Sequence, residues 1–114
     1  MMIKIDAFIR EEKFEDVKAA LNAIGVNGMT VSQVMGCGIQ RGYKEIVRGM
    51  QVDMQMQPKI VVSSEEWEEK TINAIQEAAF TGETGDGKIF SYEIRTAQKI
   101  RTKETGYDAI QATE

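Results

Sequence analysis

The chain has 114 residues, 42% of them apolar and 28% charged, proportions that fit one globular domain and exclude wholesale disorder. Fourteen Lys and Arg against eighteen Asp and Glu leave a net charge of −4, which argues against attachment to nucleic acid or anionic membrane by bulk charge. Histidine is absent, so one chain cannot supply a histidine-dependent hydrolase, imidazole acid–base chemistry or a histidine-ligated zinc site.

At the N-terminus, Ile3, Ile5, Ala7 and Ile9 recur at every second position, which predicts a strand with its apolar side against a helix layer. Phe14, Val17, Leu21 and Ile24 then recur at steps of three and four behind an acidic start, which predicts an amphipathic helix closed by Gly25. A second strand is expected over Met29–Met35. From Gly36 to about Gln51 the periodicity breaks, and Gly36, Gly38, Gly42 and Gly49 alternate with charged residues. Such a long irregular stretch in a small domain points to a functional loop.

Val52, Met54 and Met56 restore the alternation, and Ile60, Val61 and Val62 complete a third strand with an edge, bulge or break at Pro58. Ser63 and Glu66 stand at capping-box spacing ahead of a second helix carrying Trp67, Thr71, Ile75, Ala78 and Ala79 and ending near Gly82. A fourth strand is expected over Ile89–Ile94. An extended basic tail follows, with Arg95, Lys99, Arg101 and Lys103.

Two strand–helix–strand units in succession predict a ferredoxin-like α+β sandwich: four antiparallel strands with both helices on one face. The other face is expected to carry Phe8, Tyr92 and several methionines, and packing sheet against sheet in an oligomer would cover them. The uninterrupted apolar runs are far too short for a membrane helix, and the N-terminus lacks the basic start and apolar block of a signal peptide. The single cysteine, Cys37, excludes an intrachain disulfide and suits a reducing, cytoplasmic compartment.

Three segments carry chemistry. Gly82-Glu83-Thr84-Gly85-Asp86-Gly87-Lys88 has the letters of a nucleotide-hydrolase phosphate loop, but Ile89 stands where a Ser or Thr would meet magnesium, and the segment runs from helix into strand. Its closely spaced glycines and Lys88 still suit phosphate oxygens; alone, it reads equally as a glycine-rich turn with an exposed lysine. Gly36-Cys37-Gly38-Ile39-Gln40-Arg41 forms a second glycine-rich turn, and Lys99-Ile100-Arg101 places two cations on one side of an extended stretch. Three donor-rich or cationic groups in an otherwise acidic chain point to one polyanion site. Cys37 lacks a base and reads as a small side chain in a turn. Met54 and Met56 read as strand interior, and Glu65, Glu66, Glu68 and Glu69 as a charge run at a helix start.

Taken in order, Asp6-Ala7-Phe8-Ile9-Arg10, Gly28-Met29-Thr30-Val31, Gly36 to Gly42, Arg48-Gly49, Thr81-Gly82, Gly85-Asp86-Gly87-Lys88-Ile89-Phe90 and Ile100-Arg101-Thr102 make the chain resemble the PII nitrogen-regulatory signal proteins. The resemblance implies a single-domain homotrimer that binds ATP or ADP in clefts between neighbours and is not an enzyme. It implies a target-docking loop (the T-loop) over about 37–54, a phosphate-holding loop over about 81–88 and a C-terminal tail over about 96–114. By that similarity Gly36, Cys37, Gly38, Ile39 and Gln40 line one side of the cleft, and Gly85, Asp86, Gly87 and Lys88 hold phosphates. Phe8, Gly28, Met29, Thr30 and Val62 surround adenine and ribose, while Lys99 and Arg101 reach in from the adjacent subunit. Gln40 would meet nucleotide-bound Mg2+, and Arg41, Tyr43, Lys44 and Arg48 would face a transporter, its ATPase or a nitrogen-metabolism enzyme.

Four departures from the family pattern stand out. Ile39 replaces a usual arginine, and Lys99 replaces an arginine with loss of the bidentate fork. The loop is shorter than usual and has no counterpart of the uridylylated tyrosine, Tyr43 lying too early. The lysine that pairs with 2-oxoglutarate has no clear match, Lys59 being out of register and Met56 an alternative, so the 2-oxoglutarate response is expected to be altered or missing. The alternative expectation is a PII-like or cation-tolerance-type trimer that senses another small ligand or acts as a nucleotide-independent interaction module. An RNA-binding sheet of the same topology is disfavoured by the lack of RNP-type aromatics and by the negative charge.

Overall fold

The computed structural model describes residues 2–26, 28–39, 52–64 and 68–110. Its elements are β1 (Ile3–Phe8), α1 (Phe14–Ala23, entered through a 3-10 turn at Glu11–Lys13), β2 (Thr30–Ile39), β3 (Val52–Ser64), α2 (Glu68–Ala79), β4 (Lys88–Glu93) and α3 (Tyr107–Ile110). The strands form one antiparallel sheet in the order β2-β3-β1-β4, the ferredoxin-like arrangement expected from the element order.

The alternation in β1 decides the layering. Ile3, Ile5, Ala7 and Ile9 are buried with Val17 and Leu21 of α1, Ile60 of β3 and Ile75 of α2, so both helices cover the same face. Gly25 closes α1 at φ 91°: its N–H donates to the Asn22 carbonyl at 3.0 Å, and Val26 N–H donates to the Leu21 carbonyl at 2.9 Å. That pair of bonds is a Schellman closure, and it needs the left-handed residue that glycine supplies without steric cost. On the opposite face Phe90 and Tyr92 remain exposed beside Lys4, Asp6 and Phe8.

Four local expectations change. β2 does not stop at Met35. Its ladder continues through Gly36↔Gln55, Cys37↔Met54, Gly38↔Asp53 and Ile39↔Val52, because backbone pairing tolerates glycines that hide the side-chain period. Ser63 is not a helix cap but a strand residue opposite Lys4, since pairing with β1 carries β3 through Ser64. Glu65, Glu66 and Trp67 lie outside the described residues. The helix ends at Ala79, short of Gly82. The basic tail is not extended: Gln98 bridges Thr105, Lys99 N–H donates to the Glu104 carbonyl at 2.9 Å, and Lys103 sits at φ 64° in the resulting closed turn.

Pro58 sits where β3 gains an edge. Its carbonyl accepts from Ile9 N–H at 3.3 Å, and pairing with β1 begins only at Lys59↔Phe8. Both polar groups of one strand residue aim at the same neighbour, so the missing N–H faces the end of β1 and costs no ladder bond to β2. Among the described residues no helix is long and apolar enough to cross a membrane.

Ile75, fully buried between α2 and the sheet, tests the layering. Ile75→Ala is expected to cost about 2–5 kcal/mol and Ile75→Val about 0.5–1.5 kcal/mol in urea unfolding at fixed protein concentration. Equal, negligible losses would place the core elsewhere.

Candidate ligand-binding site at the loop before β4

After Ala79 the chain must turn back into β4, and one carboxylate organises that turn. Asp86 Oδ2 accepts the backbone N–H groups of Thr81 and Gly82, both at 2.9 Å, while Oδ1 accepts the Thr81 hydroxyl and Arg10 Nε, the latter at 3.0 Å. Arg10 Nη2 also donates to the Thr84 carbonyl at 2.7 Å, and Glu83 N–H donates to Thr81 Oγ1 at 3.2 Å. Residues 81–86 are thereby tied to the end of β1. The bonds from Thr81, then from Arg10, hold the Asp86 carboxyl well below the usual carboxylate range. The same bond to Asp86 raises the Arg10 guanidinium above its ordinary value.

Gly87 allows the loop to lie directly on β1. It has φ +104°, and a Cβ there would sit 1.7 Å from the Phe8 carbonyl oxygen, so no other residue fits without moving the strand. Lys88 then opens β4 directly opposite Phe8, its side chain exposed on the sheet face away from the core. Because Asp86 spends its charge on donors within the turn, the glycine-rich backbone and Lys88 present a surface suited to an anion.

Beside this loop lies a groove of about 440 Å³ whose walls include Phe8, Ile72, Phe80, Gly87, Lys88 and Phe90. The Phe8 and Phe90 rings meet edge to face at 5.9 Å between centroids. Lys59 Nζ lies 5.6 Å from the Phe8 centroid and 3.6 Å from Asp6 Oδ2. Tyr92 donates its hydroxyl to Asp6, and this bond to the nearly buried carboxylate raises the phenol above its ordinary value.

The structure joins Phe8, Gly85, Asp86, Gly87 and Lys88 in one site, and it sets Gly36, Cys37, Gly38 and Ile39 beyond the same end of β1, on β2. Other expected residues fall elsewhere. Thr30 begins β2, three strands across the sheet from Lys88, and Met29 packs against the buried core. Val62 pairs with Ile5, in the alternate register set from Thr30, Val61 and Asp6. The chain reaches Lys99 and Arg101 from the far end of β4, beyond Glu93↔Ile3. Gly28 precedes β2, while Gln40, Arg41, Tyr43, Lys44 and Arg48 lie outside the described residues. Among the described residues no group of three or more carboxylates and cysteines converges on a metal position. The holding role of Arg10 has no local signal in the sequence, since Arg10 and Asp86 stand 76 residues apart; Thr81 lies only five residues from Asp86, a short-range turn contact that the sequence reading did not assign.

A family model described as Nitrogen regulatory protein P-II matches residues 2–104. The chain belongs to this family. It is 51% identical over 113 residues to Nitrogen regulatory protein P-II 1 of Methanothermobacter thermautotrophicus, covering 96% of this chain and 97% of that relative. The B. subtilis GlnK–ATP complex superposes with a TM-score of 0.80 at 33% identity, over 95% of this chain and 94% of that one. Arabidopsis thaliana PII bound to citrate gives 0.78 at 32% identity, over 99% and 93%. As a P-II protein the chain is a regulator, not an enzyme.

Two outcomes test the loop. Gly87→Ala is expected to cost at least about 1–3 kcal/mol from backbone strain alone, read as a lowered melting temperature. For pH, a folded-state pKa below the unfolded value of about 3.9 means that Asp86 contributes fully above pH 4 and that its contribution is lost as pH falls further. Asp86→Asn should therefore flatten the acid limb of the stability curve; an unchanged limb would mean the carboxylate does not hold the turn.

Proposed function

We propose that this P-II protein is a homotrimeric, single-domain nucleotide sensor that binds ATP or ADP in clefts between neighbouring copies. The observation that carries the reading is a separation. Within one chain the donor-rich loop and Lys88 lie at one end of β4, whereas the segment with Lys99 and Arg101 leaves from the other. A second copy that presents its basic turn to the first copy's loop brings the two halves together, with phosphates over Gly85, Gly87 and Lys88 and the base toward Phe8. The ATP-complexed GlnK relative supports nucleotide as the anion.

On this reading Asp86 positions the loop and does not itself meet phosphate. Gln40 holds nucleotide-bound Mg2+. Loss of an arginine at Ile39 weakens discrimination between ATP and ADP, and the 2-oxoglutarate response is altered or absent. The segment over about 37–54, whose two ends pair as β2 and β3 up to Ile39↔Val52 and which carries Arg41, Tyr43, Lys44 and Arg48, transmits nucleotide occupancy to a cytoplasmic face of a transporter, to its ATPase or to a nitrogen-metabolism enzyme. Such transmission requires that the two nucleotides favour different loop conformations.

Isothermal titration should show micromolar or tighter binding of ATP or ADP, and Lys88→Ala and Arg101→Ala should each weaken it by roughly tenfold or more. Co-expressing the two variants should restore roughly a quarter of the sites, because in mixed rings some clefts receive both intact halves. No restoration would place both residues in one chain's site, and no heat with either nucleotide would remove the reading.

A further inference from the structure

The basic turn after β4 has a fixed shape. Lys103 N–H donates to the Lys99 carbonyl at 3.0 Å, Lys99 N–H donates to the Glu104 carbonyl at 2.9 Å, and Gln98 bridges Thr105. At its tip stands Ile100, 98% exposed, between Lys99 and Arg101. Glycine, proline, asparagine, aspartate and serine suit a turn, whereas a β-branched apolar side chain gains nothing there from its own chain. A lone exposed isoleucine needs no partner in itself. This one is held between two cations on a closed turn, so it travels wherever they are delivered.

The loop before β4 borders an apolar hollow. One wall of its groove of about 440 Å³ is formed by Ile72 and Ala79 of α2, by Phe80 and by Ile89 of β4. Phe80 is 60% exposed, so a single chain leaves this wall uncovered. Its ring leans on Gly82, where an added Cβ would lie 3.3 Å from it, and the lip of the groove is thereby set beside the loop. Acids stand at both ends: Glu68, one helical turn before Ile72, accepts the Ser91 hydroxyl, and Glu83 belongs to the loop. The turn brings Lys99, Arg101 and Lys103 to that rim, a complementary charge.

We propose that Ile100 of one copy seats between Ile72, Phe80 and Ile89 of a second copy, as the apolar anchor that joins the two halves of the cleft. This rests on the two-copy reading of the site. The groove shares Gly87 and Lys88 with the anion surface, and neighbouring Cα atoms are about 3.8 Å apart. A turn that delivers Arg101 to phosphates on that surface therefore carries Ile100 to the mouth of the groove, while Phe8 on the opposite wall stays with the base. A rigidly held apolar side chain entering a pocket rimmed by charge loses little freedom on docking, which suits it to carry much of a small interface.

The test uses the full chain without nucleotide. Ile100 lies outside the core, so Ile100→Ser leaves the fold of one chain intact. Ile100→Ser and Phe80→Ser should each speed subunit exchange between fluorescently labelled copies by roughly tenfold or more. The double variant should be no faster than the faster single one, because the second change finds the contact already gone. In wild-type protein mixed from isoleucine-methyl-labelled and phenylalanine-ring-labelled batches, the Ile100 methyl should show cross-relaxation with the Phe80 ring of another chain. Unchanged exchange, additive effects or absence of that signal would overturn the anchor, and a chain that sediments as a monomer would overturn it together with the cleft. Titration with ATP separates the two readings. Nucleotide binding without the Ile100 effects keeps the nucleotide site and removes the anchor, whereas the Ile100 effects without heat of binding keep the anchor and remove the nucleotide.

Discussion

The carboxylate of Asp86 holds the candidate site together. Four donors from three places converge on it: the Thr81 and Gly82 amides, the Thr81 hydroxyl and the Arg10 guanidinium. Unpaired amides after a helix end would be satisfied by water or by a ligand; here they are satisfied internally, so the turn has one shape before any ligand arrives. The loop also contains an acid at the position where a phosphate cradle needs positive potential. Enclosing that charge among its own donors removes the conflict, and Lys88 remains exposed at the start of β4.

β1 transmits this order to the rest of the molecule. It is flanked by β3 and β4, one set of its side chains forms the floor of the helix-side core, and its C-terminal end receives both Gly87 on the Phe8 carbonyl and the Arg10 arm. Its other face carries Lys4, Asp6 and Phe8. There Asp6 is tied to Tyr92 and Lys59 while Phe8 packs against Phe90. A six-residue strand thus couples the hydrophobic core to the polar loop and to the exposed face.

Past Lys59↔Phe8 the sheet narrows from four strands to two, and the β2–β3 ribbon continues to Ile39↔Val52. Its two faces differ in chemistry. Glycine, glutamine and aspartate occupy most of one register set, and thioethers and a thiol dominate the other. The ribbon leads from the sheet to residues 40–51.

The sequence by itself determined the element order, the apolar face of β1, the helix faces through Leu21 and Ile75, and the family. Those are local periodicities or contiguous motifs, and a side chain's face follows from its spacing. It did not determine the extent of β2, because glycines erase the alternation that backbone pairing preserves, nor that Ser63 is a strand residue. Only the tertiary structure joined Arg10 to Asp86, set Val61 and not Val62 in register with Thr30, closed the basic tail into a turn and placed Met35 and Cys37 opposite Met56 and Met54. Each of these is a contact between segments distant along the chain, and which segments meet depends on strand order and register, which no local spacing encodes.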